Sequence, residues 1–245
     1  AVLVALAWAV HPQRVEAVAW VTARRDVLAA LLALLALRAW WAYASAPSPG
    51  RPRAYTAALV LYALSLLAKS SALALPLDLL VLDAWPLRRA EAGWRALLLE
   101  KAPFAAVSIA VGAAAWAGQA DTGALAATAW IERPVLAGAA TFRLVADALL
   151  PVRLHAHVLR PDVGSVLVPG LVVPALLVGG ATLVVLVRRR RAPGMFVAWT
   201  SFLLLLAPSS GLVPVRSLLT ADRSAHLASV PLALAAGGAG AAAAL

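Results

Sequence analysis

The feature that most constrains this chain is the repetition of uncharged apolar runs, most of them near the length of one bilayer crossing, with only short polar stretches between them. A hydrocarbon core about 30 Å thick takes a helix of about 20 residues. A soluble fold of 245 residues, 63% of them hydrophobic and only 13% charged, has no interior large enough to bury all of these runs. They do not alternate with a period of two, which excludes a transmembrane β-barrel and predicts an all-α, polytopic helical membrane protein.

The runs cover residues 1–10, 27–46, 55–68, 72–87, 102–120, 164–187, 192–215 and 227–245, or about eight crossings. The first and last are cut, so the chain reads as an internal fragment with one domain over 1–245. Residues 55–87 as one helix would be about 50 Å long, too long for a single crossing. A turn is therefore expected at Lys69-Ser70-Ser71. In the segment 134–150, Arg143 and Asp147 stand four residues apart on one helical face, which predicts an interfacial helix that does not cross. Arg38 and Asp78 are the few deep charges, expected to pair inside the bundle or to snorkel.

A net charge of +10 in a soluble protein would suggest nucleic acid. Here the bases cluster at Arg51 and Arg53, at Arg88, Arg89, Arg95 and Lys101, and at Arg188 to Arg191, in loops between apolar runs. That pattern excludes nucleic acid and predicts membrane topology, with these loops cytoplasmic and anionic lipids as partners. Cysteine is absent, which removes thiol chemistry and cysteine-based metal sites.

The opposite ends of the runs carry His11, Arg14, Glu16, Arg24, Asp26, Lys69, Asp147, His155, His157, Arg160, Asp162, Arg216, Asp222, Arg223 and His226. Ionisable groups at a membrane boundary are functional candidates. In the tract from His11 to Asp26, a helix starting near Pro12 would place Glu16 and Trp20 on one face. Carboxylates there can orient sugar hydroxyls or act as a base, and arginines can hold phosphate. HPxxxE is not the zinc-protease spacing, and His155 with His157 lacks a third ligand, so no metal is assigned and dependence on a divalent metal is left open.

Four stretches, HPQRVEAVAWVTARRDVL, LLAKSSALALPLDLLVLDAWPLRR, LLLEKAPF and LLAPSSGLVPVRSLLTADRSAHLASVP, resemble in that order the membrane region of the transmembrane and tetratricopeptide-repeat O-mannosyltransferase-like family. The family's first motif is matched by His11, Pro12, Glu16, Arg24 and Asp26, with Arg14 in place of its second histidine. Its lysine, proline and membrane aspartate are matched by Lys69, Pro76 and Asp83, and its ADR by Ala221, Asp222 and Arg223. The family's acidic first loop and its tetratricopeptide repeats fall outside this sequence.

The resemblance implies a GT-C-type glycosyltransferase that moves a sugar from a polyprenyl-phosphate donor to a protein or glycan acceptor. Its active face would be extracytoplasmic, at a bacterial inner membrane or the endoplasmic reticulum. In that reading Glu16 and Asp26 are catalytic; His11, Arg24, Lys69, Asp222 and Arg223 bind substrate. No cofactor is expected. The alternatives are a transporter or flippase for a lipid-linked solute, and a non-catalytic anchor for a repeat domain.

Overall fold

The structure, a computed structural model, describes residues 2–45, 51–89, 93–122, 129–152, 154–155, 158–159, 168–212 and 218–243. His157, Arg160, Asp162 and Arg216 lie outside the described residues. Helices dominate: α1 (Val2–Ala9), α2 (Val15–Ala19), α3 (Arg24–Ser45), α4 (Arg51–Ala68), α5 (Leu75–Ala84) and α6 (Trp94–Asp121) are followed by α7 (Glu132–Leu149), α8 (Pro169–Val187), α9 (Pro193–Leu206), α10 (Ala225–Ala228) and α11 (Val230–Ala243). Two short strands, β1 (Val158–Leu159) and β2 (Leu218–Thr220), pair antiparallel.

Among the described residues, three stretches are long and apolar enough to cross a membrane: Val21–Ser45, which includes α3, together with α6 and α8. They leave large apolar side chains such as Leu31, Ile109, Leu176 and Leu183 exposed, which suits helices solvated by lipid.

The central contact is α3 against α4. Ala29, Ala33 and Ala36 form a narrow buried stripe on α3 that ends in Trp40, and small residues at this spacing let two backbones approach closely. Ser65 uses the proximity to donate to the Ala29 carbonyl at 2.7 Å. Tyr62, Leu75, Leu79, Phe104, Phe202 and Leu206 complete a core shared by α4, α5, α6 and α9.

The turn expected at Lys69 is present. α4 stops at Ala68, Lys69 is extended, a 3-10 turn covers Ser70–Ala72, and α5 leads back. α5 packs on α9, and Asp78 is buried there facing Ser201 without closing a hydrogen bond to it. Arg38 is exposed on α3 while Asp78 is buried, so of the two expectations for these charges, pairing or snorkelling, the pair is not made.

The basic loops gather at one end. The guanidinium groups of Arg51 and Arg89 both lie over the Tyr43 ring, at 5.7 and 5.3 Å. Gly194, just after the run Arg188 to Arg191, sits against Trp85, with room for a Cβ only 3.3 Å from that ring. α7 belongs to the other end. Its Leu144 and Ala148 carbonyls are bonded by Gln13 and His11, and Leu136 packs with Leu171 and Leu219. Arg143 and Asp147, on one face as expected, form an ion pair along α7 at 2.6 Å.

Candidate functional site

At the end opposite the basic loops, segments distant in sequence converge. The helix expected from Pro12 begins there as a 3-10 turn, continues as α2 and stops at Trp20 in extended conformation. This break swings the chain into α3 and leaves Asp26 buried in its first turn. A carboxylate suits that position because the unpaired N–H groups of a helix start carry partial positive charge.

Asp26 forms an ion pair with Lys69 at the α4–α5 turn. Glu16 of α2 forms the second pair with Arg223, and the Arg223 backbone N–H also donates to Glu16 Oε2 at 2.8 Å. The Arg223 guanidinium lies 5.1 Å from the Trp20 ring. Glu16 and Trp20 thus meet the same arginine, although α2 ends at Ala19 and Trp20 follows in extended conformation, not on the helical face expected from sequence.

Asp26, Lys69, Ser70, Ser209, Arg223 and His226 line a small cleft of about 80 Å³. On the far side of the Glu16–Arg223 pair, Glu16, Trp20, His155 and Asp222 line a wider cavity of about 650 Å³. Asp222 accepts from the His155 backbone N–H at 2.9 Å. Burial raises its carboxyl above the ordinary range, with the Asp147 and Glu16 charges adding to the rise. Burial lowers the Lys69 ammonium, against the opposing pull of Asp26. It also pushes the His226 imidazole down to about 4, with the Arg14 charge adding to the effect.

Of the candidates taken from sequence, Glu16, Asp26, Lys69, Asp222 and Arg223 surround these two cavities. His11 does not. Its Nδ1 accepts from Gln13 N–H at 3.2 Å and its Nε2 lies 3.0 Å from the Ala148 carbonyl, so it caps a turn and ties it to α7. Arg24 is exposed on the first turn of α3 and lines neither cavity. Among the described residues no cluster of three His, Asp or Glu side chains could hold a metal ion.

Sequence reasoning missed a second polar centre at the basic end. Asp83, fully buried, accepts from Trp40 Nε1 at 3.2 Å, from Arg89 at 3.2 Å and from Lys101. Glu100 accepts from Arg89 at 2.9 Å and from the Tyr43 hydroxyl at 2.7 Å. The signal available was the rarity of acids near these loops, since a scarce carboxylate among bases is the one that all of them can share. Asp83 therefore lies far from Lys69, although both match one motif of the family that the sequence resembles.

Comparison with protein-family models, with curated proteins and with solved structures finds no match.

Proposed function

We propose that the protein is a membrane glycosyltransferase of the GT-C type, with about eight crossings, that takes its sugar from a polyprenyl-phosphate donor. The observation that carries this reading is the convergence of two carboxylates, Glu16 and Asp26, with two cations, Lys69 and Arg223, at one end of the bundle. Transfer from a lipid phosphate needs both kinds of group. The acceptor hydroxyl oxygen attacks the anomeric carbon, its proton passes to a carboxylate, and the bond from that carbon to the phosphate oxygen breaks. The departing polyprenyl phosphate carries the electron pair, which the cations stabilise.

A cleft of about 80 Å³ has room for a few waters. In this conformation it is closed by its own ion pairs. A donor phosphate would compete with Asp26 for Lys69 and with Glu16 for Arg223, and so would release a carboxylate to act as base at the moment the donor arrives. The wider cavity beside Glu16 has the volume for the sugar. Leu205 and Leu227 line both the cleft and an apolar groove of about 660 Å³ between α3, α5, α9 and α11, which offers a path for the polyprenyl chain.

The test is binding of a short-chain polyprenyl-phosphate sugar to the purified protein in detergent, with thermal unfolding recorded in parallel. Lys69→Gln should weaken binding, and Lys69→Arg should restore it only in part, because a guanidinium is a planar fork and an ammonium a point charge. Undiminished binding by a folded Lys69→Gln variant would leave Lys69 as a topological charge and overturn this assignment.

A further inference from the structure

The turn that opens α2 holds a buried cation that the glycosyl-transfer reading does not use. Arg14 is only 3% exposed, and its Nε and Nη1 are buried with no hydrogen-bond partner. Nη2 donates to Gln13 Oε1 at 2.8 Å, and the guanidinium lies 5.3 Å from the Trp8 ring. Asp222 acts on Arg14 only at a distance, and its carboxylate serves the His155 N–H in the neighbouring cavity. An arginine cannot shed its charge, and a buried cation with unmet donors is costly.

Arg14 forms part of the wall of a cavity of about 370 Å³ between α1, α7, α9 and α11. The rest of that wall is mainly apolar, including Val4, Trp8, Val145, Phe202, Leu232 and Ala236. Its other polar groups are already engaged. Trp8 Nε1 donates to Ser229 at 2.9 Å, Gln13 Nε2 donates to the Leu144 carbonyl at 3.1 Å, and His11 is tied to Ala148. Among the described residues, no carboxylate lines the cavity. α1, which forms one side, exposes Leu3 and Leu6, so the cavity is flanked by a surface suited to lipid.

We propose that this cavity binds a single-chain amphiphile with an anionic headgroup, a carboxylate or a phosphate monoester, held by Arg14 with its chain along the apolar wall. The site is separate from the Lys69 cleft and does not rest on the glycosyltransferase reading.

Oleate, oleyl phosphate and oleyl alcohol are the probes, measured as radiolabelled ligands on the purified protein in nonionic detergent. At least one anionic probe should bind saturably, one per chain, about tenfold or more tighter than the alcohol, the range expected of hydrogen bonds to a charged group. The tighter of the two anions distinguishes a fatty acid from a lipid phosphate. Arg14→Gln should abolish that preference, and Arg14→Lys should restore part of it. Ala236→Trp fills the cavity without touching the charge and should block all three probes. It keeps the test open if Arg14→Gln does not fold. Lys69→Gln should leave oleate binding unchanged, which separates this site from the phosphate-binding donor cleft. Equal binding of alcohol and anions by the unaltered protein, or full anion binding by folded Arg14→Gln or Ala236→Trp variants, would overturn the proposal.

Discussion

The Glu16 carboxylate holds Arg223 twice, through the guanidinium and through the backbone N–H at 2.8 Å, across a sequence separation of 207 residues. This double contact fixes the start of α10 against α2, and it makes Glu16 both a structural tie and a candidate base.

Those two roles can be separated. Glu16→Gln keeps an acceptor for the Arg223 N–H but loses the charge, so the fold should persist while glycosyl transfer falls by about 10² to 10⁴. Asp26→Asn should have a similar effect. Product formation in membranes, with protein level measured by immunoblot, is the check. Undiminished product from both variants would exclude the carboxylates from the chemistry.

At the opposite end, Asp83→Asn should be far more damaging to stability than to any activity. It takes the fully buried carboxylate from Lys101, only 3% exposed, and from Arg89, and leaves the half-buried Glu100 as their remaining common partner. Breaking a buried ion pair from one side costs about 3 to 5 kcal/mol. Thermal unfolding in detergent should show a large fall for Asp83→Asn and a smaller one for Tyr43→Phe, which removes only the hydroxyl contact to Glu100.

His226 predicts an acid-sensitive fold. Below about pH 6.5 the unfolded chain takes up a proton on this imidazole, whereas the folded protein refuses it until about pH 4. Stability should therefore fall as pH drops through that window, by up to about 1.4 kcal/mol per pH unit, and be unaffected by this group above it. Asp222 works in the opposite sense, because its raised carboxyl gains a proton more readily in the folded state. Comparing unfolding curves of the parent and His226→Gln between pH 4 and pH 7 isolates the histidine, and the variant should show the shallower dependence.

Topology follows from the gathering of the basic loops. Cysteines at the exposed positions Arg88 and Arg190 should both label from the cytoplasmic side. One at Trp130, which is 80% exposed before α7, should label only from the other side. Labelling of positions 88 and 190 from opposite sides would defeat the arrangement, and with it the count of about eight crossings.

Much of the fold was legible in the sequence because a membrane imposes a length on every crossing and leaves no partner for stray polar groups. Apolar run length alone predicts α3, α6 and α8, and the break at Lys69 follows from the excess length of residues 55–87. The ionic ends were legible too, since charge cannot lie in hydrocarbon without a reason.

Pairing was not legible. Nothing local to Glu16 names Arg223 over Arg24, because ion pairs form between groups that helix packing brings within reach, and packing depends on the small-residue stripe of α3 and the turn at Trp20 acting together. For the same reason Asp83 and Lys69, close in sequence, end at opposite ends of one short helix. Arg14 reads as one more boundary charge until the folded chain closes α1, α7 and α11 around it. The sequence by itself determined that the chain is an all-helical protein made for a membrane, with its charges at the helix ends; only the tertiary structure decided which charges meet, because that requires the positions of several helices at once.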